Sequence, residues 1–132
     1  ITETVLMSRL DVMHDAIARL RATGVRMAID DFGTGYSSLS YLGSLPIDCL
    51  KIDRSFVVAM DKGPEFVEIV RAVLMLGESL GKEVVAEGID TSEQLATLKR
   101  LGVHAGQGYL LSRPLRPDQV PALLYAPAAL PA

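Results

Sequence analysis

The sequence predicts an α/β fold in which four parallel strands alternate with helices. Short apolar runs that are typical of buried strands begin near positions 25, 48, 83 and 103, and helix-like segments lie between them. Strands that alternate with helices are joined by right-handed crossovers, so they form a parallel sheet. The length of 132 residues corresponds to about one domain, and a composition that is 49% hydrophobic excludes a disordered chain.

The elements of the first half follow from hydrophobic spacing and from one glycine. Met13, Ala16, Ile17 and Leu20 have the i, i+3, i+4, i+7 spacing of an amphipathic helix. Gly24 follows the last of them and is expected to end this helix. The predicted segments are a helix over Ser8–Thr23, a strand over Val25–Asp30, a loop over Asp31–Pro46 with a short helix around Ser38–Leu42, and a strand over Cys49–Asp53.

The second half repeats this alternation. Pro64 stands where a first helical turn tolerates proline, and Thr91 with Gln94 has the pattern of a capping box. The predicted segments are a helix over Pro64–Leu80, a strand over Glu83–Glu87, a helix between Thr91 and Gly102, a strand over Val103–Leu111, and a short helix over Pro117–Leu124. The Pro- and Ala-rich residues 126–132 are expected to fray.

Composition excludes several classes of protein. The net charge is −3, from 13 basic and 16 acidic residues, so a basic face that binds DNA is not expected. No apolar stretch reaches the roughly 18–20 residues that a membrane span requires, and no signal-peptide pattern is present. The single cysteine, Cys49, excludes an internal disulfide and favours a reducing, cytoplasmic location. We interpret Cys49 as a small buried residue of the core.

Polar residues follow the apolar runs at the carboxyl-terminal ends of the predicted strands. They are Asp30 and Asp31 in the first strand, Lys51 and Asp53 in the second, Glu87 in the third and Gln107 in the fourth. Functional residues of a (β/α)8 barrel collect at this end, and an open doubly wound sheet also binds ligands there. These positions therefore predict a site without choosing between the two folds.

The residue types at this predicted site favour a divalent metal. Several carboxylates repel one another unless a cation neutralises them, and oxygen ligands suit Mg²⁺ or Mn²⁺. Adjacent residues of a regular strand point to opposite faces, so we expect one of Asp30 and Asp31 to point inward and the other to begin the loop. Each residue also has a structural interpretation: Asp31 could cap a turn, Lys51 and Asp53 could form an ion pair, and Glu87 could precede a helix as a cap.

Four motifs together resemble those of EAL-domain cyclic di-GMP phosphodiesterases. They are the string DDFGTGYSSL at 30–39, Lys51-Ile52-Asp53, the string VVAEG at 84–88 and the string GQGY at 106–109, in the order of that family. Thr2-Glu3 is similar to the end of the family's Glu-x-Thr-Glu strand motif. The resemblance covers the chain to about residue 124. It implies that residues 1–125 are a partial EAL domain, the C-terminal half of a TIM-type (β/α)8 barrel.

The resemblance also implies a reaction and a role for each site residue. The reaction would be hydrolysis of cyclic di-GMP to linear pGpG at a two-metal site that holds Mg²⁺ or Mn²⁺. Asp30 would bridge the two metals, and Asp31 and Glu87 would belong to the second one, with Glu87 also acting as a base. Lys51 would orient the attacking water, and Asp53 would hold Lys51 or the water network.

Other residues would support this site. Gln107 would lie in it by hydrogen bonding, and Glu3 would tether the loop that follows the first strand. Asp90 stands where the family often has a glutamate, so its side chain is one methylene shorter. The loop and supporting residues implied in this way are Glu3, Gly33, Thr34, Gly35 and Asp90.

The resemblance carries expectations about partners as well. The family's Glu-Ala-Leu motif would lie before Ile1, so we expect the chain by itself to be inactive. Bare edges on the first and fourth strands predict a homodimer or cover by the rest of the barrel. GGDEF, PAS or receiver domains, and membrane attachment through other domains, are implied for the parent protein.

Two other functions compete with this one. A domain that binds cyclic di-GMP without turnover, a receptor or regulatory module, is the alternative within the same family. The residues alone also allow a Schiff-base aldolase built on Lys51, which would not depend on a metal.

Overall fold

The computed structural model describes residues 1–8, 10–35 and 42–125, and it contains the predicted alternation of strands and helices. The strands are β1 (Ala28–Phe32), β2 (Cys49–Ile52), β3 (Glu83–Ala86) and β4 (Ala105–Gly106). The α-helices are α1 (Glu3–Ser8), α2 (Leu10–Arg21), α3 (Arg54–Ala59), α4 (Pro64–Ser79), α5 (Ser92–Leu101) and α6 (Val120–Tyr125). Short 3₁₀ helices cover Met60–Lys62 and Pro117–Gln119. The predicted helix at 38–42, except Leu42, and the tail at 126–132 lie outside the described residues.

The strands form one parallel sheet in the order β1-β2-β3-β4. Cys49 is paired with Glu83 and Val85 with Ala105, so equivalent ends of the strands lie side by side. The carboxyl-terminal ends therefore meet at one edge of the sheet, as the sequence predicts. No helix of the described residues has the length and apolar character that a bilayer crossing demands.

The two faces of the sheet differ sharply in burial. The helix-covered face is closed to solvent, and its residues Ile29, Leu50, Ile52, Val84 and Ala86 are each 0% exposed. The opposite face is only half-buried and carries Cys49, Lys51, Glu83 and Val85. Cys49 therefore lies half-buried on the face that the helices do not cover, and it is not a fully buried core residue. The helix-side burial stabilises the sheet, since each such Leu, Ile or Val contributes about 1.5–3 kcal/mol.

Helix boundaries follow the local signals of the sequence. Thr91 and Gln94 form the capping box of α5, and Gly102 ends that helix with φ of 81°. Pro64 is the first residue of α4. Gly24 has φ of 88° shortly after α2, where glycine favours a left-handed end. These four predictions are confirmed.

The extents of two strands differ from the predicted ones. β1 begins at Ala28, three residues late, and it continues through Asp31 and Phe32. β4 has only two residues, because the chain turns after Gly106 and the Gln107 carbonyl accepts the N–H of Ile89 from the loop above β3. The predicted strand over Val103–Leu111 is therefore wrong in length.

Helix α3 was not predicted. Its six residues are rich in β-branched and aromatic types, and they are too few to show a helical period. The available signal was Asp53, whose side chain accepts the backbone N–H of Ser55 at the start of the helix.

The edge of β1 is partly covered by the chain itself. Thr2 forms a parallel bridge with Asp30. The terminal amine of Ile1 donates to the Ala28 carbonyl at 3.0 Å, and the Asp30 N–H donates to the Ile1 carbonyl at 2.8 Å. The expectation of a bare edge at the first strand is therefore wrong where Ile1 and Thr2 cover it, whereas the sheet ends at β4 within the described residues.

Replacing Gln94 by glutamate is expected to lower the free energy of unfolding by about 2 kcal/mol at pH 7. Gln94 is 3% exposed, and its amide donates to Asp61 at 2.7 Å. A carboxylate at this position would face the Asp61 carboxylate without a proton between them. Urea denaturation of the variant and of wild type at pH 7 measures the loss.

The control for this substitution is Gln119→Glu. Gln119 is exposed, and its side-chain oxygen accepts the Arg116 N–H, an interaction that glutamate retains. An equal loss of stability in both variants would contradict the proposed repulsion at Asp61.

Candidate functional site

Three carboxylates converge at the carboxyl-terminal edge of the sheet. Asp30 and Asp31 come from β1, and Glu87 directly follows β3. Each can offer one oxygen atom such that all three oxygens lie within 4.8 Å of one another. All three residues are half-buried. We call this group the carboxylate cluster.

An irregularity in β1 brings the two adjacent aspartates together. Ile29 pairs with Leu50 and Phe32 with Ile52, so Asp30 and Asp31 both stand opposite the single residue Lys51. Asp31 has φ of 54°, which departs from strand geometry. The expectation that regular alternation separates the two side chains is therefore wrong, because a bulge interrupts the alternation at this position.

Lys51 links two members of the carboxylate cluster. Its Nζ donates to Asp30 Oδ1 at 2.6 Å and forms an ion pair with Glu87 Oε1. Burial by itself would lower the pKa of Lys51, but the hydrogen bonds to Asp30 and Glu87 outweigh it and the pKa is raised. Lys51 is therefore a cation at neutral pH and offsets part of the negative charge.

Gln107, which directly follows β4, orients Glu87. Its Nε2 donates to Glu87 Oε1 at 2.7 Å, and its backbone N–H donates to the Ala86 carbonyl at 2.9 Å. Gly108 follows in close contact with Ile89, whose backbone would overlap any Cβ at position 108. This close approach allows the end of β4 to lie over the loop that begins with Glu87.

The loop after β1 is fastened by a buried glutamate. Glu3 is 0% exposed, and its Oε2 accepts the Gly33 N–H at 2.7 Å. A Cβ at Gly35 would lie 2.9 Å from Glu3 Oε1, so the loop passes close to this side chain. Thr34 Oγ1 donates to the Asp31 carbonyl at 2.8 Å. Glu3, Gly33, Thr34 and Gly35 thus lie together beside Asp31, where the motif suggested them.

Asp53 lies at the start of α3, next to the cluster but turned to its own helix. Its Oδ1 accepts the Ser55 N–H at 2.9 Å and also accepts the Ser55 hydroxyl. Burial would raise the pKa of Asp53, but these hydrogen bonds favour the ionised form, and the pKa is lowered. In the described contacts Asp53 is a helix cap, and the ion pairs of Lys51 go to Asp30 and Glu87.

Removing the Asp53 cap is expected to cost about 1 kcal/mol in Asp53→Ala, whereas Asp53→Asn keeps most of the stability. Because the pKa is lowered in the folded state, the charge stabilises the fold above the unfolded pKa of about 3.9. That contribution is lost as the pH falls through the lower folded value. Urea denaturation at pH 7 and in acid measures both effects, and equal stability of wild type and Asp53→Ala at pH 7 would contradict the capping role.

Arg54 is a site residue that the sequence interpretation missed. Its guanidinium donates to Asp90 Oδ2 from Nη2 at 2.7 Å and from Nε at 3.3 Å. Its aliphatic stem lies on Gly88, which has φ of 70° and leaves no room for a Cβ. Arg54 therefore holds the loop that follows Glu87, and Asp90 reaches it despite being shorter than glutamate. A basic residue directly after the Lys-Ile-Asp motif was the available signal.

A surface cavity of about 470 Å³ opens beside the carboxylate cluster. Its lining includes Arg54, Asp90, Gln107, Tyr109 and Arg113. The Arg113 guanidinium lies 4.6 Å from the centre of the Tyr109 ring, and Tyr109 is 59% exposed. Exposed aromatic and guanidinium planes of this kind suit the stacking of a planar ligand.

The donor set of the carboxylate cluster fits a hard divalent cation. All its ligand atoms are carboxylate oxygens, which Mg²⁺ and Mn²⁺ prefer, and nitrogen or sulfur ligands are absent from the group. A lysine and an amide border the same cluster. Such an arrangement can bind a phosphate through a metal and stabilise charge that develops on it.

Comparison with known proteins places these features in one family. The family model for the EAL domain matches residues 1–114. Cyclic di-GMP phosphodiesterase NbdA of Pseudomonas aeruginosa is 47% identical over 115 residues, which cover 87% of this chain and 15% of NbdA. The chain thus spans only a small part of the length of this curated relative.

Solved structures agree with this assignment. The MucR phosphodiesterase of Pseudomonas aeruginosa in complex with cyclic di-GMP superposes with a TM-score of 0.87 at 43% identity, over 91% of this chain and 49% of that one. BlrP1 of Klebsiella pneumoniae, in complex with manganese and cyclic di-GMP, has a TM-score of 0.79 at 39% identity, over 86% and 29% of the two chains. The predicted barrel-type architecture is confirmed, and the chain belongs to the EAL domain family, of whose TIM-type barrel it forms a part.

Proposed function

We propose that this chain provides the C-terminal half of an EAL domain that hydrolyses cyclic di-GMP to linear pGpG with Mg²⁺ or Mn²⁺. The observation that carries the proposal is the convergence of Asp30, Asp31 and Glu87 with Lys51 and Gln107 at one edge of the sheet. Relatives that bear the name of cyclic di-GMP phosphodiesterase support the choice of reaction.

Each site residue would have a different role in phosphodiester hydrolysis. Asp30, Asp31 and Glu87 would hold the metal, which would supply Lewis-acid charge and a more acidic bound water. Glu87 can also accept a proton, while Gln107 and Lys51 hold the carboxylate in position through contacts to Oε1. The Lys51 ammonium can donate to a non-bridging oxygen of the phosphate, where negative charge increases in the transition state.

The cavity beside the cluster supports a nucleotide substrate. A guanine base of cyclic di-GMP is planar and carries several donors and acceptors on its edge. Tyr109 and Arg113 offer stacking surfaces, and Arg54 and Asp90 offer a donor and an acceptor at the wall of the same cavity. We assign one guanine to this cavity and the scissile phosphate to the neighbouring carboxylate cluster.

The proposed assembly includes more than this chain. Residues outside it would complete the metal site and cover the outer edge of β4, either as the remainder of the barrel or in a homodimer. GGDEF, PAS or receiver domains in the parent protein and a cytoplasmic location remain part of the proposal, and DNA is not among the proposed partners.

A chimeric domain tests the proposal directly. The part of the MucR phosphodiesterase domain that precedes its match to this chain would be fused to this chain, giving a complete barrel. With cyclic di-GMP and Mg²⁺ or Mn²⁺, the chimera is expected to form pGpG, detected by chromatography, whereas this chain alone is expected to form none. The MucR domain itself serves as the positive control.

One outcome would favour binding without turnover over catalysis, and another would exclude the metal from the reaction. A folded chimera that binds cyclic di-GMP but forms no pGpG at any metal concentration would favour a receptor and overturn the catalytic proposal. Turnover that persists in excess chelator would overturn the role of the metal.

A further inference from the structure

We propose that Lys51 is a built-in counter-cation that competes with the divalent metal for Asp30 and Glu87 and so sets the metal affinity of the site. The inference rests on the proposed metal site and adds a role for Lys51 in the metal-free protein. It predicts that the lysine which serves the phosphate also weakens metal binding.

The geometry places the ammonium group among the atoms that would bind a metal. Lys51 Nζ lies 2.6 Å from Asp30 Oδ1 and is ion-paired with Glu87 Oε1. Both carboxylates belong to the cluster whose oxygens lie within 4.8 Å of one another. A metal ion held by these oxygens therefore has to displace the ammonium from at least part of its present contacts.

Charge balance points to the same competition. The cluster has three carboxylates. Within the described part of the chain, Lys51 is the residue that forms ion pairs with them. The guanidinium of Arg54, whose stem contacts the loop that begins with Glu87, is engaged elsewhere, since it pairs with Asp90. Removing the Lys51 charge leaves the carboxylates to repel one another, which raises the free energy of the metal-free state and favours a divalent cation.

Displacement of the ammonium has a consequence for the reaction. The Lys51 side chain is 24% exposed and has a flexible four-carbon stem, so Nζ can leave the carboxylates without moving β2. Metal binding then frees the ammonium to donate to the phosphate. Metal binding would therefore both place a divalent cation in the site and release the ammonium group that binds the substrate phosphate.

Titration of the chimeric domain, which completes the metal site and serves as wild type here, with Mn²⁺ by calorimetry tests the competition without a measurement of activity. Lys51→Met keeps the aliphatic stem and removes the charge, and it is expected to bind Mn²⁺ on the order of tenfold more tightly than wild type. Lys99→Met is the matched control, because Lys99 is exposed on α5 and the change in net charge is the same. Its affinity should stay within about twofold of wild type, given screening by salt.

A measurement on the wild-type protein covers the case in which Lys51→Met does not fold. Acetylation of Lys51 by a succinimidyl ester, followed by mass spectrometry, should accelerate severalfold when Mn²⁺ is added, because the ammonium leaves its ion pairs. Lys99 in the same sample reports any general effect of the metal on the reagent.

The outcomes separate this inference from the proposed function. If wild type binds Mn²⁺ but Lys51→Met binds it no more tightly, or if Mn²⁺ slows the acetylation of Lys51, the counter-cation role is overturned and the metal site stands. If neither protein binds Mn²⁺ at millimolar concentration, the metal site itself is overturned, and this inference with it.

Discussion

Replacing Glu87 by glutamine in the chimeric domain is expected to lower kcat for cyclic di-GMP hydrolysis by at least about a thousandfold, since a metal ligand and a proton acceptor are lost together. Glu87 contacts more of the other site residues than a single ion pair would require. It belongs to the carboxylate cluster, pairs with Lys51 and accepts a hydrogen bond from Gln107. Glutamine has nearly the same shape but lacks the negative charge and cannot accept the proton in the same way. Steady-state formation of pGpG, followed by chromatography, measures the effect.

The same strand provides a control for this substitution. Glu83 begins β3, at the opposite end from the cluster, and pairs with Arg26. Glu83→Gln is expected to keep kcat within about threefold of the parent chimera, because exposed ion pairs contribute little. If Glu87→Gln kept a tenth of the parent kcat while folded and bound to metal, its proposed part in the chemistry would be wrong.

Replacing Gly108 by alanine is expected to lower the free energy of unfolding of this chain by about 3 kcal/mol, as overpacking against immovable backbone does. The added methyl group would overlap the backbone of Ile89, and no side-chain rotation can relieve that contact. The Ile89 N–H donates to the Gln107 carbonyl at 3.1 Å, and the Leu110 N–H donates to the Ile89 carbonyl at 3.1 Å. Both hydrogen bonds would stretch as the two segments separate. Urea denaturation monitored by circular dichroism gives the change.

A second glycine separates the steric effect from glycine loss in general. Gly43 has no positive φ, and the nearest heavy atom to a Cβ there is Leu80 Cδ2 at 3.6 Å, an ordinary contact. Gly43→Ala is expected to change stability by less than about 1 kcal/mol. Similar losses in the two variants would contradict the close approach of Gly108 to Ile89.

The Gly108 substitution also tests the positioning of the site. Gln107 precedes this contact and holds Glu87 through its amide. If the added methyl group separates the two segments, Gln107 moves away from Glu87. The kcat per folded molecule of the Gly108→Ala chimera should then be lower than that of the parent chimera. Unchanged kcat per folded molecule would mean that Gln107 does not position Glu87.

Strand and helix order could be predicted because the signals are local. Val84 and Ala86 alternate with half-buried neighbours, and the apolar runs at 25, 48, 83 and 103 are each bounded by glycine, proline or acidic residues. Thr91, Gln94 and Gly102 mark both ends of α5 by hydrogen bonds within a few residues of one another. Such features need no knowledge of the rest of the chain.

Features that depend on contacts between distant segments escaped prediction. The length of β4 is set by Ile89, which turns the chain after Gly106 through a hydrogen bond to Gln107. The cover on the β1 edge comes from Ile1 and Thr2, whose strand character shows only in pairing with Asp30. The contact between Arg54 and Asp90 joins residues 36 positions apart.

The sequence by itself determined which residues form the candidate site, because the carboxylates, Lys51 and Gln107 each stand at or just after the end of an apolar strand in a parallel sheet whose ends meet. Only the tertiary structure decided how they face one another. A bulge in β1 sets both Asp30 and Asp31 opposite Lys51, and the ammonium joins Asp30 to Glu87 across three strands. Alternation along a strand is a local rule, whereas a bulge is stabilised by its neighbours, so the positions of the two aspartates could be known only once β2 was in place.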